Sequence, residues 1–422
     1  MLTEKGSQNL SDFTEKNSHE NYVEITKGIW HISGLGHSNA ICIEGNSSVI
    51  LIDTLDSFEK GKILLQFIRE RIGKSISTVI YTHGHPDHRG GAGAFTESNP
   101  EIIAFAPITP TLAKTAMLQD IQNQRGSRQF GYTLTDEENI SQGIGRREGI
   151  AYGEQRAFVP PTTLYQQDSV VREIDGVNLE LIRVPGETED QIMIWLPDRK
   201  VLCCGDNYYG CFPNLYAIRG GQYRDLALWL QSLDKLAAYP AEYLLPGHTA
   251  AVIGRDQIQE VLLNFRNAID DILTRTLQGM NLGKSADQLA AEIVLKPEYA
   301  ALPYLGEFYG CAEWTVRAIY SAYLGWFDGN PTHLHPLPPR EKAEKTTALM
   351  GGIQSVLDAA KKAFSMEEYQ WCLELCDLLL DAGQEITEAK TLKASALRAL
   401  AEYETSANGR HYYIASAKEL TE

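Results

Sequence analysis

Tyr81-Thr82-His83-Gly84-His85-Pro86-Asp87-His88-Arg89-Gly90-Gly91 gathers histidines and an aspartate directly after the apolar run Ser77-Thr78-Val79-Ile80. Residues i and i+2 of an extended segment point to the same side, so His83 and His85 can reach one cation together. Asp87 and His88 lie just beyond, where a turning chain aims them at a second position. Imidazole and carboxylate are the donors expected for zinc and neighbouring divalent metals. Gly90 and Gly91 let the backbone turn tightly beneath them. The whole chain has 422 residues and 10 histidines. Histidines so concentrated beside an aspartate read as a metal site rather than as rings satisfied at a strand end.

Outward from that segment the pattern is layered. Upstream lie the short β-rich runs YVEITKGIWHISG (22–34), SNAICIEG (38–45) and SSVILIDTL (47–55), then a helical stretch from Ser57 to Lys74. Downstream, strand patterns resume in VNLELIRVPG (177–186), QIMIWLPDRKVLCCGD (191–206) and AEYLLPGH (241–248). Strands alternating with helices at this spacing predict an α/β layer structure. Residues 1–22 read as a loose polar tail. Residues 107–165 have little periodicity, which suggests a lid or binding loop. From about residue 258 apolar residues fall at three-and-four spacing, so the chain becomes all-helical. A Pro-rich break at 330–339 precedes a last helical hairpin resembling a single tetratricopeptide unit. One unit cannot build a solenoid, so it reads as a packing hairpin. The expected organisation is a tail at 1–22, a catalytic domain at 23–257 and a helical domain at 258–422.

Composition narrows the partners. Apolar residues make up 43% and charged residues 22%, ordinary for a globular chain. Lys+Arg 38 against Asp+Glu 55 gives −17, which disfavours a nucleic-acid surface. No run of 18 apolar residues spans a membrane, and the start lacks a secretory h-region. The 7 cysteines, with Cys203 and Cys204 adjacent in an apolar run, read as buried thiols of a reducing compartment, so a cytoplasmic location is expected. Cys372 and Cys376 fall on an apolar helical stripe and read as core. His333 and His335 lack acidic companions and read as structural.

The H-x-H-x-D-H segment resembles the signature of the metallo-β-lactamase fold, over roughly residues 23–257. That resemblance implies an αββα sandwich with two divalent ions at one edge of its sheets. It also implies ligands from later loops: Glu187 in Val184-Pro185-Gly186-Glu187, Asp206 bridging the ions, and His248 in Leu245-Pro246-Gly247-His248. The implied set is His83, His85, Asp87, His88, Glu187, Asp206 and His248, with Asp87 also the catalytic candidate and Asp53 orienting the ligand loop. Glu189 and Asp190 compete with Glu187. Zinc is the first expectation, although three acidic ligands make manganese or iron reasonable.

Within that superfamily the chain resembles the alkylsulfatase branch. The supporting stretches are Asn214-Leu215-Tyr216-Ala217-Ile218-Arg219-Gly220, then Tyr323-Leu324-Gly325-Trp326-Phe327-Asp328-Gly329-Asn330-Pro331, and finally Arg410-His411-Tyr412-Tyr413. The branch implies hydrolysis of alkyl sulfate esters and a homodimer through the C-terminal helices. Longer relatives add a sterol-carrier-like domain after this point, so long-chain detergent specificity has less support here. The branch usually carries Glu where this chain has Asp206, and histidines where it has Tyr208 to Pro213. Arg219, Asn214 and Tyr208 are the substrate-binding candidates, because a guanidinium fork matches sulfate oxygens in pairs. Arg128, Arg146 and Arg147 are weaker candidates. Hydrolysis of another ester, a thioester or a lactone is the competing enzymatic reading, and a non-catalytic interaction protein is the third.

Overall fold

The computed structural model describes residues 5–107, 112–383 and 387–422. Strands β1 (Asn21–Thr26), β2 (Ile29–Ser33), β3 (Ala40–Glu44), β4 (Ser48–Ile52), β5 (Ser75–Ile80), β6 (Glu101–Phe105) and β7 (Thr163–Tyr165) form one sheet in sequence order. Strands β8 (Ser169–Ile174), β9 (Val177–Arg183), β10 (Ile192–Leu196), β11 (Val201–Gly205), β12 (Tyr243–Pro246) and β13 (Val252–Ile253) form the second. Side chains alternate between faces along a strand, and the apolar runs use both. Ile50 and Ile52 of β4 meet Ile192, Ile194, Val201 and Cys203 between the sheets. Val49 and Leu51 turn outward to Leu64 and Phe95. Leu202 and Cys204 of β11 turn outward on the other side, to Trp229 and Leu233 of the helix Leu226–Ala237. The adjacent Cys203 and Cys204 therefore lie in different layers, and all 7 cysteines are free thiols.

Strand register delivers the loops to one edge. β4 and β5 run parallel with Ile52 opposite Ile80, so Asp53 and the histidine segment leave the sheet side by side. β11 and β12 run parallel with Gly205 opposite Pro246, which does the same for Asp206 and His248. β9 and β10 are antiparallel with Arg183 opposite Ile192, and their connection carries Glu187. Thr82 O accepts the Ile192 N–H at 2.9 Å, joining the two sheets where these loops emerge. Trp229 is fully buried and its Nε1 donates to Asn207 O at 3.3 Å. Truncation of such a side chain costs about 3–5 kcal/mol and would loosen the loop beside Asp206.

Two sequence expectations change. Residues Gly6–Asn17 form a helix rather than a loose tail. Its Leu10 and Phe13 are buried, and Phe13 stacks on Phe308 at 4.2 Å. The 107–165 stretch contains the helix Gln119–Phe130, which packs on the last helix, Ala407–Glu419. Nothing in the core breaks at 257, because helix Arg255–Asn281 adds Ile258, Val261 and Phe265 to the cluster that holds Leu202 and Trp229 and continues to Val316 and Ile319. Cys372 and Cys376 lie in a separate cluster built from Ile353–Ser365, Tyr369–Asp381 and Thr387–Tyr403. His333 pairs with Asp328 at 2.7 Å on the surface. Among the described residues no helix is long and apolar enough to cross a membrane.

Candidate metal centre

Pro86 opens the short helix Pro86–Arg89, a position that suits its fixed φ and missing N–H. This turn separates His83 and His85 from Asp87 and His88. On one side, His83 Nε2 lies 3.0 Å from His85 Nδ1, and His85 Nδ1 lies 3.2 Å from Glu187 Oε2. On the other, His88 Nε2 is 3.3 Å from Asp87 Oδ2, and His248 Nε2 is 3.5 Å from the same oxygen. Asp206 sits between them, its Oδ2 at 3.6 Å from His83 Nε2, 3.3 Å from His88 Nε2 and 3.2 Å from His248 Nε2. His83, His85, Glu187 and Asp206 offer donor atoms within 4.8 Å of one another, as do His88, Asp206 and His248. Glycine is needed where these loops cross. A Cβ on Gly247 would lie 2.1 Å from Asp206 Oδ1 and 2.9 Å from His88 Cε1.

The donor set fits divalent cations. His88 Nε2 and Asp206 Oδ1 are buried without a hydrogen-bond partner, a costly state unless a cation completes them. Burial opposes charge on both, yet Asp206, Asp87 and Asp53 hold His88 well above the ordinary imidazole range. His88, His248 and His83 hold Asp206 well below the carboxylate range. His83 itself is pushed well down, by burial and then by His88. Negative potential thus converges on buried imidazoles, as a site for cations requires.

A second ring of partners fixes the ligands. Asp53 accepts from Thr82 N at 2.8 Å, from Thr82 Oγ1 at 2.7 Å and from His88 Nδ1 at 2.8 Å. His248 Nδ1 donates to His37 O at 2.8 Å. In each ring the inner nitrogen stays free for a cation. Glu187 receives the Tyr209 hydroxyl at 2.9 Å and the Arg224 Nη1 at 2.8 Å. Burial opposes the Glu187 charge, but Arg224 and His85 outweigh it and lower its pKa.

Beside His85 and Glu187 opens a cavity of 420 Å³ whose walls include Arg89, Arg219, Arg224 and Asp190, within the range of small-molecule sites. Glu189 lines this cavity rather than joining the donor cluster. Arg219 also reaches it, its Nη1 3.5 Å from Gly220 O. Asn214 is buried next to Tyr209, whose hydroxyl accepts the Asn214 N–H at 2.8 Å. Tyr208 does not face this cavity. Its ring is buried in the core 5.2 Å from Phe265, because neighbouring residues point apart and Tyr209 takes the inward position. Arg128 pairs with Glu419, Arg146 donates to Ser18 O, and Arg147 binds Asp136 and loop carbonyls. Those arginines are occupied structurally.

Sequence reasoning missed the part taken by Arg224, Tyr209 and His37. Arg224 stands before the helix cap Asp225 in a stretch similar to the alkylsulfatase branch, but nothing in that stretch marks Glu187 as its partner. The Tyr208-Tyr209 pair could have been split only with knowledge of which face looks inward.

A metallo-beta-lactamase superfamily model matches residues 33–248, and an alkyl sulfatase dimerisation model matches residues 285–422. The chain is 35% identical over 389 residues to a linear primary-alkylsulfatase of a Pseudomonas species, covering 90% of this chain and 73% of that protein. It is 31% identical over 415 residues to the alkyl/aryl-sulfatase BDS1 of Saccharomyces cerevisiae, covering 94% and 63%. The solved stereoselective inverting sec-alkylsulfatase Pisa1 from Pseudomonas sp. superposes with a TM-score of 0.87 at 28% identity, covering 95% of this chain and 65% of that one. The chain thus spans less than two thirds of the yeast relative and of the solved structure. From its ligand loops, its helical C-terminal region and these likenesses, the chain belongs to the alkylsulfatase branch of the metallo-β-lactamase superfamily.

Proposed function

We propose that this chain is a dinuclear metal-dependent hydrolase that cleaves alkyl sulfate esters to alcohol and sulfate. The observation that carries the reading is Arg219, a guanidinium with no carboxylate partner among the described residues, in a cavity that also touches His85 and Glu187. Its fork suits the paired oxygens of a sulfate. His83, His85, Glu187 and Asp206 would hold one ion, and Asp87, His88, His248 and Asp206 the other, with zinc the first choice for this donor set. Two such ions supply Lewis acidity and a nucleophile at neutral pH. The chain's own residues do the positioning. Asp53 fixes the His88 ring, and Arg224 ties Glu187 to the Asn214 carbonyl. Asn214 is buried outside the cavity wall, its side-chain oxygen without a partner among the described residues, so it would reach a head group only from behind Arg224. Asp87 lies between the His88 and His248 rings and is the carboxylate placed to orient the attacking water.

Hydrolysis of a thioester, lactone or other ester is the second reading. It is favoured by the absence of histidine from Tyr208 to Pro213 and by the commitment of the Tyr209 hydroxyl to Glu187. Metal analysis of the purified protein, followed by sulfate, phosphate and thioester substrates, separates the two. Sulfate release abolished by a chelator and restored by zinc is expected, whereas turnover confined to a thioester would exclude the sulfatase reading.

The helical region is proposed to make a homodimer. Trp326 (75% exposed) and Leu349 (90% exposed) leave large apolar surface in the stretch that matches the dimerisation model, and a twofold pair is the commonest assembly. Light scattering of the full chain should give twice the monomer mass; a monomer would overturn this.

A further inference from the structure

We propose that His37 is an additional protein ligand of the second ion, beside Asp87, His88 and His248. The inference rests on the dinuclear reading above. His37, Asp87 and His248 present donor atoms within 4.8 Å of one another, a group that adds His37 to two ligands of the second set. His37 lies in Gly36-His37-Ser38-Asn39 after β2, far in sequence from the histidine segment, and it is 3% exposed. Its Nδ1 lies 3.3 Å from the Arg146 carbonyl. That contact places the ring proton on Nδ1 and leaves the Nε2 lone pair for a cation. His88 uses the same device through Asp53, and His248 through the His37 carbonyl. A metal-binding histidine ordinarily has its outer nitrogen held in this way.

The backbone beneath the ring is also held. The His37 N–H donates to Asp56 Oδ1 at 2.9 Å, and Asp56 is paired with Lys60 at 3.0 Å in a buried ion pair. The Lys60 ammonium also donates to Arg147 O at 3.2 Å, anchoring the segment that carries the Arg146 carbonyl. Gly145 passes so close that a Cβ there would sit 1.9 Å from His37 O. A histidine serving only as filler needs neither a fixed tautomer nor donor atoms of Asp87 and His248 within reach. An added imidazole would raise the coordination number of the second ion, which zinc tolerates and manganese or iron prefer.

The test is direct ligand counting in the full chain. Protein loaded with cadmium-113 and carrying nitrogen-15 histidine should show second-site couplings to His37 as well as to His88 and His248. His37→Gln, which keeps a polar side chain of similar reach, should keep the first ion. Its second-ion affinity should fall about 100-fold, the upper end of what even an outer partner costs. Melting of the metal-free variant at the wild-type temperature checks that it folds. The wild-type cadmium spectrum answers the question even if the variant does not fold. Absence of a His37 coupling, or unchanged second-ion affinity in His37→Gln, would overturn the assignment while leaving the dinuclear reading intact. A wild-type chain that binds fewer than two ions would overturn both.

Discussion

Asp53→Asn is the sharpest probe of how the ligands are held. The carboxylate has one oxygen on the Thr82 N–H and the other on both Thr82 Oγ1 and His88 Nδ1. An amide must present its NH₂ group to one side. Facing His88, it opposes the Nδ1 proton and drives that proton to Nε2, the nitrogen that looks toward Asp87 and Asp206. Facing Thr82, it sets donor against donor on a buried backbone N–H, at a cost of about 1–3 kcal/mol. The molecule takes the cheaper arrangement, so the loss is bounded by that range and matches the roughly 10–100-fold in metal affinity expected of such a partner. Competition against a chromophoric chelator at fixed pH measures it for each ion. The second ion should weaken by that factor and the first should change little. Equal, wild-type affinity for both ions would refute the argument that Asp53 sets the His88 tautomer.

Glu187→Gln should weaken the first ion more than Glu189→Gln, because Glu187 lies in the donor cluster and Glu189 only lines the cavity; the reverse ranking by metal titration would reassign the ligand. Arg219→Lys should raise KM for a sulfate ester with little change in kcat, by roughly 1.5–3 kcal/mol for a charge-assisted hydrogen bond already made in the ground state. An unchanged KM with full metal content would make Arg219 structural. Glu404 is raised to about 7 by burial, with Glu307 and Glu313 adding to it, from an ordinary 4.5. A raised carboxyl holds its proton longer when folded, so its stabilising contribution is intact below about pH 4.5 and is lost as pH rises through 7. Glu404→Gln should therefore raise the melting temperature at pH 8, by up to roughly 3 kcal/mol of stability, and do nothing at pH 4; a pH-independent effect would contradict this.

The sandwich was legible because strands alternate between two buried faces, and a run such as Val49-Ile50-Leu51-Ile52 shows both at once. The metal segment was legible because its donors are local, spaced by the chain itself. The later loops gave only Pro-Gly and Gly-Asp signatures, and their donor atoms meet through strand register, which pairs Ile52 with Ile80 and Gly205 with Pro246. Tyr208 misled because consecutive residues differ only in facing, and facing is decided by packing against Phe265. The amino-terminal helix was hidden because two apolar residues among polar ones signal little until Phe308 is seen to receive Phe13. His37 carried no signal, since its partners Asp56, Asp87, Arg146 and His248 come from separate later segments.

Packing across residue 257 bears on specificity. The last helix, Ala407–Glu419, holds the 119–139 segment through His411, whose ring nitrogens lie 3.0 Å from Gln129 O and 2.8 Å from Asn139 O, so that its single N–H donates to one of the two carbonyls. Lys418 adds a bond to Thr133 O at 3.0 Å. From the other side of that segment, Gln129 Oε1 accepts the Arg219 N–H at 2.8 Å, and Arg125 donates to Ile218 O at 2.7 Å. The loop that carries Arg219 is therefore fixed by a helix nearly 200 residues further along the chain. Tyr309, from the connection before helix Ala312–Leu324, packs its ring 6.1 Å from that of Tyr209, which holds Glu187. The β-sandwich supplies the clustered imidazole and carboxylate donors, and the helical region supplies the support for the surfaces around them. A site needs such support to keep its geometry, and here the part of the chain that matches a dimerisation family provides it.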